Sequence, residues 1–248
     1  MSTEAIERLA AAVLRACGID PSPPIALYDL AAALGVTEIR QVSMVEDGRL
    51  ERGGGRTAIY LREETGPQRQ RFTLAHELAH LILAEPERDF VAHRREVHFS
   101  SEERFCDQFA ASLLMPRHWV KQEFHQAPVR LGVARNMANQ AQTSLSACLV
   151  RLREVLAWEA SMLHWRQVGQ HWRLTSTAGV PARAQNRVAS NAGTRAVLEH
   201  LRGCPEERRG MLPLQVAGAD VTVPIELLVR PRSAIGLAFF TKARIERP

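Results

Sequence analysis

The sequence has no apolar run long enough to cross a bilayer, and its cysteines form no motif. No stretch approaches the roughly 18 apolar residues that a membrane-spanning helix needs. The chain's start lacks the basic segment and apolar centre of a secretion signal. Cys17, Cys106, Cys148 and Cys204 are scattered without a C-x-x-C pair, which favours reduced thiols over disulfides. We therefore expect a soluble cytoplasmic protein without a membrane partner.

Lysine is almost absent, so nearly all of the positive charge comes from arginine, and it is unevenly distributed. Residues 1–150 hold 17 Lys+Arg against 19 Asp+Glu, whereas residues 151–248 hold 15 against 8. The two segments therefore carry −2 and +7 of the net charge of +5. A basic C-terminal third permits an anionic partner such as nucleic acid, for example single-stranded DNA as an activator. A solvated arginine-rich surface would explain the same numbers.

The most informative stretch is Arg71–Leu83, which is predicted to be one helix because its apolar residues recur at helical spacing. His76 and His80 lie one turn apart on it, so their rings leave the helix on the same side. Glu77 lies about 100° further round the helix. This is the H-E-x-x-H arrangement, in which two histidines bind zinc and the glutamate acts as general base.

A second helix, predicted for Ser101–Leu114, supplies further candidates for this site. A zinc peptidase needs a third protein ligand and keeps the fourth position open, and Glu103 is placed to be that ligand. Asp107, one turn on, is suited to accept a hydrogen bond from a ligand imidazole. Two alternatives stay open. Glu103 also fits a capping box that begins at Ser100, and Glu102 is a rival ligand, although it is out of register with Asp107.

Together the two helices resemble the ImmA/IrrE family of metallo-endopeptidases. The resemblance covers about residues 1–155 and rests on His76-Glu77-x-x-His80 and on Glu103-x-x-Cys106-Asp107-x-Phe109-Ala110-x-x-Leu113-Leu114-Met115-Pro116. It implies a gluzincin-like Zn²⁺ site. It also implies a partner repressor of the helix-turn-helix type, whose cleavage relieves repression of stress, mobile-element or anti-phage defence genes.

The chain is predicted to be an α+β protein in three parts. Residues 1–116 form a mainly helical zinc-peptidase core, residues 117–157 a helix-turn-helix-like segment, and residues 158–248 a C-terminal α/β GAF-like sensor domain. The GAF likeness rests on the resemblance and on strand pattern, and a β-rich lid or dimerisation module is the alternative. A small sheet is expected before the metal helix, with an edge that could hold an extended peptide by strand addition.

The segment around residue 145 is predicted to contain the helix pair Val133–Gln140 and Ser146–Leu156. Arginines on these helices would be available to DNA phosphates if the pair were a true helix-turn-helix. The candidates are Arg135, Arg151 and Arg153. Such helix pairs also serve simply as packing, and the sequence does not decide between these roles.

The expected activity is that of a cytoplasmic zinc endopeptidase, with Zn²⁺ held by His76, His80 and Glu103 and with Glu77 as general base. The side chain that steadies the oxyanion is open among Tyr60, His93 and His98. The rival hypotheses are a DNA-binding regulator with a structural metal and a sensor scaffold with an inactive peptidase.

Cys106 is a further candidate at the metal site, because it follows Glu103 by almost one helical turn. A thiolate in the open fourth position would inhibit the enzyme until oxidation or a partner removed the sulfur. The alternative is that Cys106 is a small buried residue that packs against the metal helix.

Overall fold

The computed structural model describes residues 3–84, 101–180, 188–204 and 206–240. Within these ranges it has eight helices and nine strands, so the predicted α+β class is confirmed. The helices are α1 (Thr3–Ala16), α2 (Leu27–Ala33), α3 (Pro67–Ala84), α4 (Glu102–Leu114), α5 (Arg117–Phe124), α6 (Leu131–Ala141), α7 (Leu145–Leu156) and α8 (Ala192–His200). No helix in the described ranges is both long and apolar enough to cross a membrane.

The strands form two sheets. The first contains β1 (Glu38–Val42), β2 (Gly48–Gly53) and β3 (Arg56–Arg62). The second contains β4 (Ser161–Val168), β5 (His171–Ala178), β6 (Val188–Ala189), β7 (Arg208–Val216), β8 (Ala219–Val229) and β9 (Ser233–Ala238). β2 and β3 form one antiparallel hairpin and β4 and β5 form another, which turns at Gly169, whose φ of +61° suits glycine.

The chain divides into two compact units, which are described separately. The first unit is Met1–His125 with Met137–Ala147, and the second is Gln126–Asn136 with Cys148–Pro248. Helix α6 therefore contributes residues to both units. The domain boundaries expected after residues 116 and 157 stay a prediction.

In the first unit, helices α1, α3 and α4 pack together through apolar faces. Helix α1 buries Ile6, Leu9 and Val13 on one face and packs against α4. Helix α3 packs against α4 and also against β2. This burial fixes α3 and α4 side by side, which places the two predicted halves of the metal site in one region.

The first sheet has the order β1-β3-β2, with β1 parallel to β3 and β2 antiparallel to it. The N–H of Arg62 donates to the carbonyl of Asp47 at 3.0 Å, so alternate residues from Asp47 onward bond to β3. The backbone groups of the intervening residues, Gly48, Leu50 and Arg52, therefore point away from β3. β2 is thus the edge strand of the described sheet, with hydrogen-bonding groups on its outer side.

The second unit is built on a six-stranded antiparallel sheet of order β5-β4-β9-β8-β7-β6. Its core includes Trp165 and Trp172, which are almost fully buried. The indole N–H of Trp165 donates to Ser190 Oγ at 2.9 Å, and that of Trp172 donates to Glu199 Oε2 at 3.0 Å. Both tryptophans therefore satisfy their only polar atom. The GAF-like nature of this unit stays a prediction.

The predicted helix pair exists as α6 and α7, but one of its expected phosphate contacts is wrong. Arg151 is only 1% exposed and its guanidinium lies 3.7 Å from the Glu154 carboxylate, so it cannot reach DNA. Arg135 lies 3.3 Å from the Glu207 carboxylate. The sequence pattern suggested exposed arginines because charged residues are rarely buried, and Arg151 is an exception.

Candidate metal centre

Helix α3 presents its two histidines toward one point. It begins with Pro67, which suits the first helical position because that residue's N–H has no partner inside the helix. Its apolar residues are buried, and His76 and His80 lie beside them with ring centroids 4.9 Å apart. The Nε2 atoms of the two rings are 3.2 Å apart. The predicted helix is confirmed, and it brings the two imidazoles together.

Helix α4 presents its carboxylates to these imidazoles. It begins after Ser101, whose hydroxyl accepts a hydrogen bond from the N–H of Arg104 at 3.3 Å. The residue in the capping-box position is therefore Arg104, so the capping role considered for Glu103 is wrong. Ser100, the cap assumed in that alternative, lies outside the described residues. The side chain of Glu103 instead faces His76 and His80.

The Nδ1 atom of each imidazole meets a different carboxylate of α4. His76 Nδ1 lies 3.0 Å from Asp107 Oδ1, and His80 Nδ1 lies 2.8 Å from Glu102 Oε1. A carboxylate accepts a hydrogen bond, so in a neutral ring the proton on Nδ1 is donated to this carboxylate and Nε2 is left with the lone pair. The hydrogen bond to Asp107 raises the pKa of His76, and burial opposes that shift.

Glu103 completes a set of three electron-pair donors. Its Oε2 atom lies 3.2 Å from His76 Nε2, and its Oε1 atom lies 3.5 Å from His80 Nε2. Zinc bonds of about 2.0–2.1 Å at tetrahedral angles separate neighbouring ligand atoms by about 3.3 Å. Lone pairs that converge at this spacing repel one another unless a cation lies between them. The three side chains therefore fit a divalent metal ion.

Cys106 lies on the buried side of the same site. Its sulfur and the ring nitrogens of His76 and His80 lie within 4.8 Å of one another, a cluster that fits a metal cofactor. The residue is fully buried, and this burial raises the pKa of its thiol, with nearby carboxylates adding to the effect. The geometry therefore places the sulfur within reach, and the inhibitory role stays a prediction.

Glu77 lies beside the proposed ligands and is 8% exposed. Burial raises the pKa of its carboxyl, while His80, His76 and a hydrogen bond from the backbone of Leu50 oppose the shift. A carboxylate with a raised pKa binds a proton more readily, which suits a general base. No sequence pattern indicates that the outer edge of β2 helps to hold Glu77.

Gly48 is the reason that β2 can approach α3 so closely. A Cβ atom at this position would lie 2.3 Å from Thr73 Cγ2 and 2.6 Å from Glu77 Oε1. Any side chain there would displace one of these groups. The sequence marks Gly48 only as a glycine at the start of a strand, so its role was missed.

The site lies in an open cleft of about 660 Å³. Its described lining residues are Asp47, Gly48, Arg49, Leu50, Arg69, Phe72, Thr73, His76, Glu77, His80, Ala84, Glu102, Glu103 and Asp107. Tyr60, one candidate for the oxyanion, lies on β3 and does not belong to this described lining. The other two candidates, His93 and His98, fall outside the described residues. Arg69 lines the cleft and pairs with Asp47 at 2.8 Å.

The part of the chain that carries this site matches a known protein family. Residues 31–153 match the family model of the IrrE N-terminal-like domain, a peptidase family. This segment of the chain is an IrrE-like domain, as found in the ImmA/IrrE family. The matched range includes both metal helices, the first sheet, helix α6 and most of α7. The matched domain is therefore of a metallopeptidase family, and its metal cluster agrees with the match.

Structural comparison extends the likeness beyond the IrrE-like domain. A Mycobacterium tuberculosis transcriptional regulator of known structure is 10% identical, with a TM-score of 0.58 over 94% of this chain and 75% of that one. At this identity the likeness shows the fold alone. No curated protein matches the sequence significantly.

Proposed function

We propose that this IrrE-like protein is a zinc-dependent endopeptidase. The observation that carries the proposal is the convergence of His76 Nε2, His80 Nε2 and the Glu103 carboxylate at the spacing of metal ligands. Three protein ligands leave one tetrahedral position open, as catalytic zinc sites do and structural ones do not. Glu77 then lies beside an open position in a cleft.

Each polar residue has a separate task in this proposal. Zinc, when bound by these three residues, polarises the scissile carbonyl and makes a water molecule acidic. Glu77, beside the open position, would take a proton from the attacking water and return it to the departing amine. Asp107 keeps the Nδ1–H of His76 engaged, so that the lone pair on Nε2 faces the ligand site.

The edge of β2 is suited to hold the substrate. The backbone groups of Arg52 and the carbonyl of Leu50 lie on its outer side, whereas the N–H of Leu50 is already bonded to Glu77. Gly48, Arg49 and Leu50 line the cleft beside Glu77. An extended peptide that adds to this edge gains main-chain hydrogen bonds without regard to its side chains. Its scissile bond would then pass the metal ligands. This arrangement favours an unfolded or extended segment as the substrate.

The match to this family supports a partner repressor of the helix-turn-helix type as that substrate. Cleavage in the cytoplasm would derepress stress or anti-phage defence genes. The structural neighbour is a transcriptional regulator by name, which agrees with a role in gene control. A small helix-turn-helix protein encoded beside this gene is the first substrate to test.

The alternative function is a DNA-binding transcriptional regulator with a structural metal site. The basic C-terminal third and the name of the structural neighbour favour it. Two observations count against it. Arg151 is buried, and Glu77 occupies a position for which a structural metal has no use. Single-stranded DNA remains our proposed activator, and affinity that does not fall between about 50 and 200 mM salt would exclude phosphate-driven binding.

Substitution of Glu77 tests the proposed activity directly. We expect Glu77→Gln to keep zinc but to lose at least 100-fold in cleavage, because an amide cannot accept the proton. His76→Ala should lose the metal itself. Metal content and cleavage of the candidate repressor are measured on the same samples. Full cleavage by Glu77→Gln would remove Glu77 from the mechanism.

Cys106→Ser tests the proposed inhibitory ligand. If the thiolate closes the fourth position, we expect the variant to show higher basal cleavage than the unmodified protein. Cobalt in the site should then show a sulfur-to-metal charge-transfer band that the serine variant lacks. An unchanged cobalt spectrum together with unchanged basal cleavage would identify Cys106 as a packing residue.

A further inference from the structure

We infer that Glu102 is a positioning residue of the metal centre, and that it holds His80 as Asp107 holds His76. The inference rests on the proposed metal site and deepens it. From the sequence alone, Glu102 is only a rival ligand. In the structure, Oε1 of Glu102 lies 2.8 Å from the Nδ1 atom of His80.

The ring nitrogen of His80 that Glu102 contacts decides whether Glu102 is a metal ligand or a positioning residue. A metal ligand must share the space in front of the Nε2 atoms, where the oxygens of Glu103 lie 3.2 and 3.5 Å from the two rings. Glu102 instead meets His80 through Nδ1, on the other nitrogen of the ring. Consecutive residues on a helix point about 100° apart. Glu102 and Glu103 can therefore serve opposite sides of the same ring.

The consequence is a clamp on both imidazoles by one helix. Asp107 and Glu102 each accept the Nδ1–H of one histidine, which fixes the tautomer and the ring plane. Both Nε2 lone pairs then face Glu103. Without Glu102, His80 could rotate or adopt the other tautomer, in which Nε2 carries the proton and cannot bind the metal. Glu102 therefore controls metal affinity without touching the metal.

The test is metal binding by variants of the full chain. We expect Glu102→Ala to weaken zinc binding by about 10–100-fold, the range known for loss of such outer partners. Glu102→Gln keeps an oxygen that can accept the Nδ1–H, so it should lose less. Arg104→Ala is the matched control, because Arg104 is an exposed residue in the same helical turn. Zinc dissociation constants are measured by competition with a chelator.

A second measurement separates positioning from simple stability. The visible spectrum of the cobalt-loaded protein reports ligand geometry, so it should change in Glu102→Ala and stay unchanged in Arg104→Ala. Unaltered zinc affinity and cobalt spectrum in Glu102→Ala would show that the carboxylate is only a solvated side chain. Loss of metal as complete as in Glu103→Ala would make Glu102 a ligand instead. Both results overturn the inference.

These measurements need no cleavage assay, so they are independent of the proposed peptidase activity. If the protein bound zinc but cleaved nothing, the proposed function would fail while the clamp on His80 could still be measured. If the unmodified protein bound no zinc at all, that measurement alone would disprove both the metal centre and this inference.

Discussion

One carboxylate in each unit has a very different set of neighbours. In the first unit, Glu103 faces the Nε2 atoms of His76 and His80, which are acceptors when the rings are neutral and protonated on Nδ1. In the second unit, Glu226 accepts a hydrogen bond from the N–H of Leu131 at 2.7 Å and pairs with Arg209 at 2.9 Å. That carboxylate already has donors from its own unit.

This difference shows where the chain is prepared to bind a cation. A group of acceptors without donors is unfavourable in a folded protein unless a ligand supplies the missing positive charge. A carboxylate that already meets an N–H and a guanidinium is satisfied and contributes to stability instead. The candidate metal site therefore lies in the first unit. We expect that changes in the second unit will affect stability before they affect the metal.

Among the changes that test this difference between the two units, Gly48→Ala is expected to have the largest effect. The added methyl group of Gly48→Ala would collide with Glu77 Oε1 and Thr73 Cγ2. We expect at least about a 100-fold loss of cleavage, because small misplacements of catalytic groups have effects of that size. Zinc affinity should stay unchanged, because Gly48 touches the base and not the ligands.

Gly53→Ala is the matched control for that experiment. Gly53 ends the same strand, and a Cβ atom there would meet nothing within 4 Å. The control should keep both cleavage and zinc affinity. If Gly48→Ala cleaved as fast as Gly53→Ala, the close approach of β2 to Glu77 would have no role in catalysis.

A smaller effect, on stability alone, is expected at Glu226 in the second unit. Glu226 is 7% exposed, and Glu226→Ala would leave the N–H of Leu131 without its acceptor. We expect a loss of about 1–3 kcal/mol in the free energy of unfolding, measured with urea. Glu226→Gln keeps an acceptor oxygen and is the control. A large fall in the zinc affinity of Glu226→Ala would show that the second unit also affects metal binding, against this expectation.

Local spacing made much of the first unit predictable from the sequence. Two histidines four residues apart must share a helix face, so the closeness of His76 and His80 follows from helix geometry. The same reasoning placed Glu103 and Asp107 on one side of α4.

What the sequence could not supply depends on how helices and strands pack. The side of the ring that Glu102 meets is set by the position of α4 against α3, which no local pattern encodes. The approach of Gly48 to Glu77 depends in the same way on where β2 lies. The burial of Arg151 reverses the usual expectation for a charged residue, and only tertiary structure reveals it.

The smallest expected effect concerns pH and the second unit. His164 is half-buried on β4, and burial, with a contribution from Arg166, lowers its pKa below the ordinary value of 6.5. The unfolded chain then binds more protons than the folded one between these two pKa values. The free energy of unfolding should therefore fall as pH drops through about 6.5. Urea unfolding of the unmodified protein and of His164→Gln at pH 7.5 and 5.5 measures this difference. The variant should lose less stability on acidification, and an equal loss in both proteins would show that His164 does not contribute.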